Sequence, residues 1–346
     1  MAKGQVWNER IHRADPQTGV EILQLTSFPT PSMPFTYQRQ NFTPDSKTLI
    51  FRSQRMPARD APWDLFRVDT DGSNMVQLTE SENFGTAALS PDGKLAYLMR
   101  GVSLWRVNMN SRAEEEVCRM DSLQPREVSD LVITPDGAYL YSPQTLKDGD
   151  HVLARFNADG SDADAICPGL QCGMLAYDLN GSGLLVAGDY VGENMLMLVK
   201  PDGSVEPFTP NCYAHSGWLG RKRMVQGCAR WPKQALLTAG KGDAAPKVIA
   251  EGPYFWHSAA TNDGEWIIAD TNWPDEGLQL VHVASGRYKT LCFAGASEGH
   301  PQWTHPHPGW SPDGELVYFS SDRTGICQLY LVNVPPEFKG ELSSGA

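Results

Sequence analysis

The sequence predicts an all-β fold, a seven-bladed β-propeller that occupies residues 1–346 as a single domain and closes by pairing its N- and C-terminal segments. Three observations lead there. A Ser/Thr-Pro-Asp-Gly turn recurs ahead of short, apolar, β-rich runs. Its copies fall about 45 residues apart, room for four strands each, which is the period of propeller blades. No helical periodicity interrupts the pattern.

The turn has a mechanism: Pro presets φ, Asp caps the turn and Gly takes a positive φ. Thr43-Pro44-Asp45-Ser46 introduces residues 48–51, Ser90-Pro91-Asp92-Gly93 introduces 95–98, and Thr134-Pro135-Asp136-Gly137 introduces 139–141. A degraded copy, Asp178-Leu179-Asn180-Gly181, introduces 184–186. Thr261-Asn262-Asp263-Gly264 and Ser311-Pro312-Asp313-Gly314 introduce 266–268 and 316–319. From Asp45 through Asn180 to Asp313 the steps are 47, 44, 44, 83 and 50. The long step hides one copy near residue 221, where Trp218-Leu219-Gly220-Arg221-Lys222-Arg223 fills the gap. A second turn, as in Asp69-Thr70-Asp71-Gly72 and Lys200-Pro201-Asp202-Gly203, joins the outer strands.

Composition narrows the function. With 41% hydrophobic residues the chain can fill a large core, and 32 Gly with 25 Pro, scattered rather than clustered, suit many short strands. A formal charge of -12 argues against a nucleic-acid partner. Any anionic ligand must therefore be held by a local basic pocket or a metal. No apolar run reaches membrane length, and the first ten residues carry no secretory pattern. Seven Cys without metal-type spacing fit free thiols in a reducing compartment, so the expected location is the cytoplasm.

The repeat register then points to a site. In a propeller the strand ahead of the marker turn lines the central channel. Six residues before each marker position stand Arg39, Thr86, Asp130, Met174, His215, His257 and His307. Two residues earlier stand Tyr37, Phe84, Val128, Cys172, Tyr213, Phe255 and His305. Three consecutive blades place a His at one level, and the next blade around a closed ring adds Arg39. This predicts a polar functional site on one side of the channel.

The stretch Gln302-Trp303-Thr304-His305-Pro306-His307-Pro308 supplies most of its donors. The prolines hold the backbone extended on an edge, and two His one residue apart then share a side. With His257 from the adjacent inner strand, Gln302, His305 and His307 form a candidate metal site. The alternative is ordinary polar His in a turn. Imidazole and amide donors without thiolate suit Mn, Fe, Ni or Zn rather than Ca or Mg. Four protein ligands leave room for substrate only on a five- or six-coordinate ion, which favours Mn²⁺ over tetrahedral Zn²⁺. His300 is a reserve ligand or a loop residue.

His215 is the candidate proton acceptor, the alternative being a channel His bonded to water. Arg39 either clamps a substrate carboxylate or pairs with Asp130. Arg52, Arg55 and Arg59 share one connection that could grip a polyanion. Arg39, Arg55, Arg59 and Tyr37 form the candidate substrate-binding set.

Residues 302–308, Ser311-Pro312-Asp313-Gly314, Phe319 with Ser321-Asp322, and Leu329-Tyr330-Leu331-Val332-Asn333-Val334-Pro335 together resemble the oligogalacturonate lyases. The resemblance extends over most of the chain from Gln40 onward. It implies a seven-bladed propeller that cleaves short pectin-derived uronides in the bacterial cytoplasm by β-elimination. Mn²⁺ would be held by His257, Gln302, His305 and His307, and His215 would abstract the C5 proton. The implied partner is a small acidic oligosaccharide. The family also uses an Arg on the strand preceding that His, whereas this chain has none between Arg155 and Arg221. Either Arg39 or an Arg of the 52–59 connection takes over that role, or the substrate differs, or the lyase activity is weak or absent. Two other readings stay open: a metal-dependent lyase or epimerase for another acidic or oxidised sugar, and a non-catalytic propeller that binds sugar or protein.

Overall fold

The structure, a computed structural model, describes residues 3–35, 39–58, 60–80, 83–125, 130–190, 193–299 and 304–344. The fold is an all-β propeller. Among the described residues the strands form seven antiparallel sheets. The innermost strands, in chain order, are Ser32–Met33, Ala87–Leu89, Val132–Ile133, Gln171–Tyr177, Tyr213–Trp218, Phe255–Ala260 and Gly309–Trp310. Sheets are numbered here by those strands.

Both chain ends enter two of the sheets. Val6–Trp7 adds an outer strand to the first sheet against Met75–Gln77. Ile11–Ala14 and Glu21–Gln24 complete the seventh, where Ile22 faces Val332 and Leu23 faces Leu331.

The core lies between sheets rather than within one. Alternation sends Leu49 and Phe51 into an apolar layer with Tyr318, Leu329 and Leu331 of the seventh sheet. Ile50, on the opposite side of the same strand, joins Ala87, Leu89 and Leu98 of the second. Similar layers separate every successive pair, down to Ile268 and Leu280 against Val317 and Phe319. The strands after the marker turns, such as Thr48–Ser53 and Leu316–Ser321, are buried on both faces and therefore read as continuous apolar runs, whereas outermost strands such as Glu114–Arg119 stay exposed and polar.

The marker turns behave as their chemistry dictates. The Ser90 carbonyl accepts from Gly93 N–H (2.8 Å), while its hydroxyl donates to Asp92 (2.7 Å) and accepts from Leu95 N–H (2.9 Å). Gly93 sits at φ 70°, and Gly137, Gly264 and Gly314 are alike. At the hidden copy Lys222 N–H bonds the Leu219 carbonyl and Leu219 N–H bonds the Met224 carbonyl, so Arg221 holds the Asp position. A cavity of about 460 Å³ at this mouth of the channel is lined by Pro44, Pro91, Pro135, Leu179, Arg221, Asn262 and Pro312 among others, one from each marker turn.

Periodicity predicts no helix, but among the described residues one forms, Pro336–Ser343. Pro336 opens it, and Phe338 and Leu342, one turn apart, pack on the layer between the sixth and seventh sheets. Eight residues are too few to register as periodicity. No helix of the described residues is long and apolar enough to cross a membrane.

Candidate metal centre and active site

The inner strands of the fifth and sixth sheets each begin at the channel mouth opposite the marker turns. They present His215 and His257 side by side, ring centroids 4.4 Å apart. The seventh sheet brings His307 within 4.1 Å of His257 and His305 within 5.6 Å of both. One nitrogen from each of His257, His305 and His307 lies within 4.8 Å of the others, close enough to share one ion.

The route by which His305 and His307 converge differs from the extended edge strand expected from sequence. Strand structure begins only at Gly309, because Pro306 and Pro308 offer no ladder N–H. His307 instead takes a left-handed φ of 45°, and its N–H is caught by Asp270 Oδ2 at 3.2 Å. A bent segment aims the two rings inward.

Asp270 organises the cluster. It is fully buried, accepts the His257 N–H on Oδ1 (2.6 Å) and accepts His257 Nδ1–H on Oδ2 (2.8 Å). Burial, with His215 and His305 nearby, holds the His257 pKa well below its ordinary value, so this contact is a hydrogen bond from neutral imidazole. The carboxylate fixes the tautomer that offers Nε2, a common orientation device for metal-bound His. Burial pushes Asp270 up to about 6, leaving it ionised at neutral pH. His307 is likewise depressed, by burial and then by His257. His305 donates Nε2–H to the Glu298 carbonyl (3.1 Å), and its Nδ1 is buried with no hydrogen-bond partner among the described residues. An orphaned imidazole nitrogen facing two neutral imidazoles fits a divalent cation.

His215 differs from its neighbours in partner and position. Its Nδ1–H donates to the Trp256 carbonyl at 2.8 Å, which places the lone pair on Nε2. Burial lowers its pKa, opposed by that hydrogen bond. It is therefore a neutral base at physiological pH, beside the cation site.

The other sequence candidates divide. Gln302, Tyr37, Arg59 and His300 lie outside the described residues. Arg39 is buried and pairs with Asp130, also reaching the carbonyls of Leu131 and Leu175, so the ion-pair alternative is the arrangement adopted. Arg55 requires correction as a substrate-binding residue. Its guanidinium bonds Glu9 at 2.6 Å and packs on Trp7, Phe28 and Phe66, in the layer between outer strands and away from the channel. Arg52 lies over Trp63 and donates to the Gly85 carbonyl.

Sequence reasoning missed three features. Asp270 is one carboxylate in an otherwise apolar strand, Trp266–Thr271, and that interruption was its only signal. Glu298, half-buried, is pushed up to about 8 by burial and by Asp270 and Asp275. Arg230 is exposed just beyond Ala229, which pairs with Tyr213, and its charge reaches His215.

No family model matches the chain. An oligogalacturonate lyase of Dickeya dadantii (strain 3937) is 22% identical, the alignment covering 97% of this chain and 99% of the relative. The chain is thus similar to an oligogalacturonate lyase along nearly the whole of both sequences. A solved oligogalacturonate lyase in complex with manganese superposes with a TM-score of 0.84 at 19% identity, covering 98% of this chain and all of that one. The oligogalacturonate lyase structure from Vibrio parahaemolyticus gives 0.82 at 19% identity, over 97% and 100%. These lyases thus share the propeller fold along the whole chain, not only around residues 302–335.

Proposed function

We propose that this chain is a Mn²⁺-dependent lyase that cleaves short oligogalacturonides, or related oligouronides, by β-elimination. The single observation that carries the reading is the convergence of His257, His305 and His307 beside His215. Relatives named for this reaction, one of them solved with manganese, support it. His257, His305 and His307 would hold the ion, with Gln302 as fourth ligand. When bound, the ion supplies positive charge that stabilises a uronate carboxylate as negative charge builds at C5.

The protein's own groups do the rest. His215 Nε2 takes the C5 proton, the C5–H electron pair becomes the C4–C5 double bond, and the C4–O bond breaks toward the departing sugar oxygen, which takes a proton from water while the His215 imidazolium returns its own to solvent. Asp270 holds His257 in register, and Trp256 holds the His215 tautomer. Among the described residues Arg230, whose charge reaches His215, would balance charge at the mouth; Arg39 would contribute only by exchanging Asp130 for a substrate carboxylate.

We further infer that each of the seven sheets is one blade of a single seven-bladed domain closed by the pairing of Glu21–Gln24 with Gln328–Asn333. Free thiols at Cys118, Cys167, Cys212, Cys228, Cys292 and Cys327 fit a cytoplasmic location.

A second reading, a metal-dependent lyase or epimerase for another acidic sugar, is favoured by the missing Arg between Arg155 and Arg221. One experiment separates them. Manganese-loaded protein is mixed with di- and trigalacturonate, and the ultraviolet absorbance of the unsaturated uronate is followed. Growth of that signal, lost in His305→Ala together with the bound metal, is expected. Metal retention without any signal on oligogalacturonides overturns the first reading and leaves the second.

A further inference from the structure

Two of the most exposed apolar side chains are both Trp: Trp231, 60% exposed, and Trp273, 64% exposed. Each stands ten residues after its marker position, Arg221 or Asp263, and each is followed by Pro. They occupy equivalent hairpin loops of the fifth and sixth sheets. Those loops open on the histidine side of the ring, because Ala229 pairs with Tyr213 and Thr271 with Phe255 at the starts of the inner strands.

The two indoles are not scattered. Trp231 meets Tyr254 edge-on at 5.2 Å, and Tyr254 stacks with Trp273 at 6.2 Å and 12°. Trp273 touches Trp256 at 4.5 Å, and Trp256 stacks on His257 at 5.5 Å and 12°. An unbroken row of rings therefore runs from solvent to the candidate metal ligands. Leaving two indoles in water forfeits their burial, so the row asks for an occupant. The apolar face of a pyranose suits it, since polarised C–H groups rest on the negative face of an indole. Arg230 and Lys233, both exposed on the Trp231 loop, add positive charge for an acidic sugar.

We propose that Trp231 and Trp273 form a carbohydrate subsite that stacks a sugar ring of the oligouronide beyond the one held at the histidine cluster. The subsite sets chain-length preference. The inference rests on the oligouronide reading above, and its test is built to fail separately from it.

The test is calorimetric titration of manganese-loaded His215→Ala protein, in which turnover is slowed enough for binding to be read, with digalacturonate and trigalacturonate. The trimer is expected to bind more tightly than the dimer. Adding Trp273→Ala or Trp231→Ala should weaken the trimer roughly three- to tenfold while leaving the dimer nearly unchanged. Trp273→Phe should restore most of the loss. Equal weakening of dimer and trimer would show a merely structural role and overturn the proposal, as would unaltered trimer affinity or failure of either oligomer to bind. A change in oligomeric state by light scattering, with affinity intact, would mean that a second copy covers the shelf, and also overturns it. Trimer-selective loss in a protein whose wild type releases no unsaturated uronate leaves the subsite standing and removes the lyase reaction.

Discussion

At the scale of single residues, the site depends on tautomers fixed by oxygen acceptors. The Trp256 carbonyl accepts His215 Nδ1–H and so places that ring's lone pair on Nε2, and Asp270 does the same for His257, a proposed ligand. His215→Ala should lower kcat by about 10²–10⁴ with metal content unchanged, because a general base contributes on that order. Burial lowers the His215 pKa below its ordinary 6.5, so the base stays unprotonated until the pH falls under that value. The acid limb of kcat/KM is accordingly expected below pH 6.5, read from initial rates across a pH series. Asp270→Asn keeps the shape but removes the charge that orients His257. Manganese affinity should fall about 10–100-fold, measured by competition with a chelator. Equal affinity in that variant would assign Asp270 to packing alone.

The marker turn is the element on which the sheets are built, and each of its side chains has a separate task. Ser90 bridges the turn by donating to Asp92 and accepting from Leu95 N–H. Ser90→Ala should cost about 1–2 kcal/mol in denaturant unfolding, since it leaves a strand N–H poorly paired. The fifth sheet closes its turn without Pro, Asp or Gly at their marker positions, Gly220 (φ 52°) and Arg223 (φ 55°) taking left-handed conformations instead of Lys222. Backbone hydrogen bonds from Leu219 and Lys222 keep the geometry there, which is why the register count across the 83-residue step still landed on His215.

For the whole molecule, the pairing of Glu21–Gln24 with Gln328–Asn333 is the contact that ties the two chain ends together. Ile22, 1% exposed, joins the N-terminal segment to Val332 across the seventh sheet and sits in the layer with Ile268 and Leu280. Ile22→Asp buries an unpaired carboxylate at that seam and should destabilise the fold by about 3 kcal/mol or more. Thermal unfolding followed by circular dichroism checks it. A substitution at exposed Ile11 on the neighbouring strand serves as the control, with little expected change. Because His305 and His307 lie beside that same sheet, loss of closure should also release bound manganese.

The propeller and the level of the His were legible because both follow from local chemistry: a turn that needs Pro, Asp and Gly, and a strand period of two counted back from it. Register could not supply contacts between sheets. Arg39 shared the histidine level, yet its partner, Asp130, comes from the third sheet and lies 91 residues away. Arg55 looked available in a polar connection, but Glu9 and the rings of Trp7, Phe28 and Phe66 enclose it. The roles of Asp270, Arg230 and the Trp231–Trp273 shelf likewise exist only once the fifth, sixth and seventh sheets stand side by side. What the sequence determined alone was repeat, turn and donor type. Only the tertiary structure decided which donors meet, because pairings across the ring are set by closure and not by neighbours in the chain.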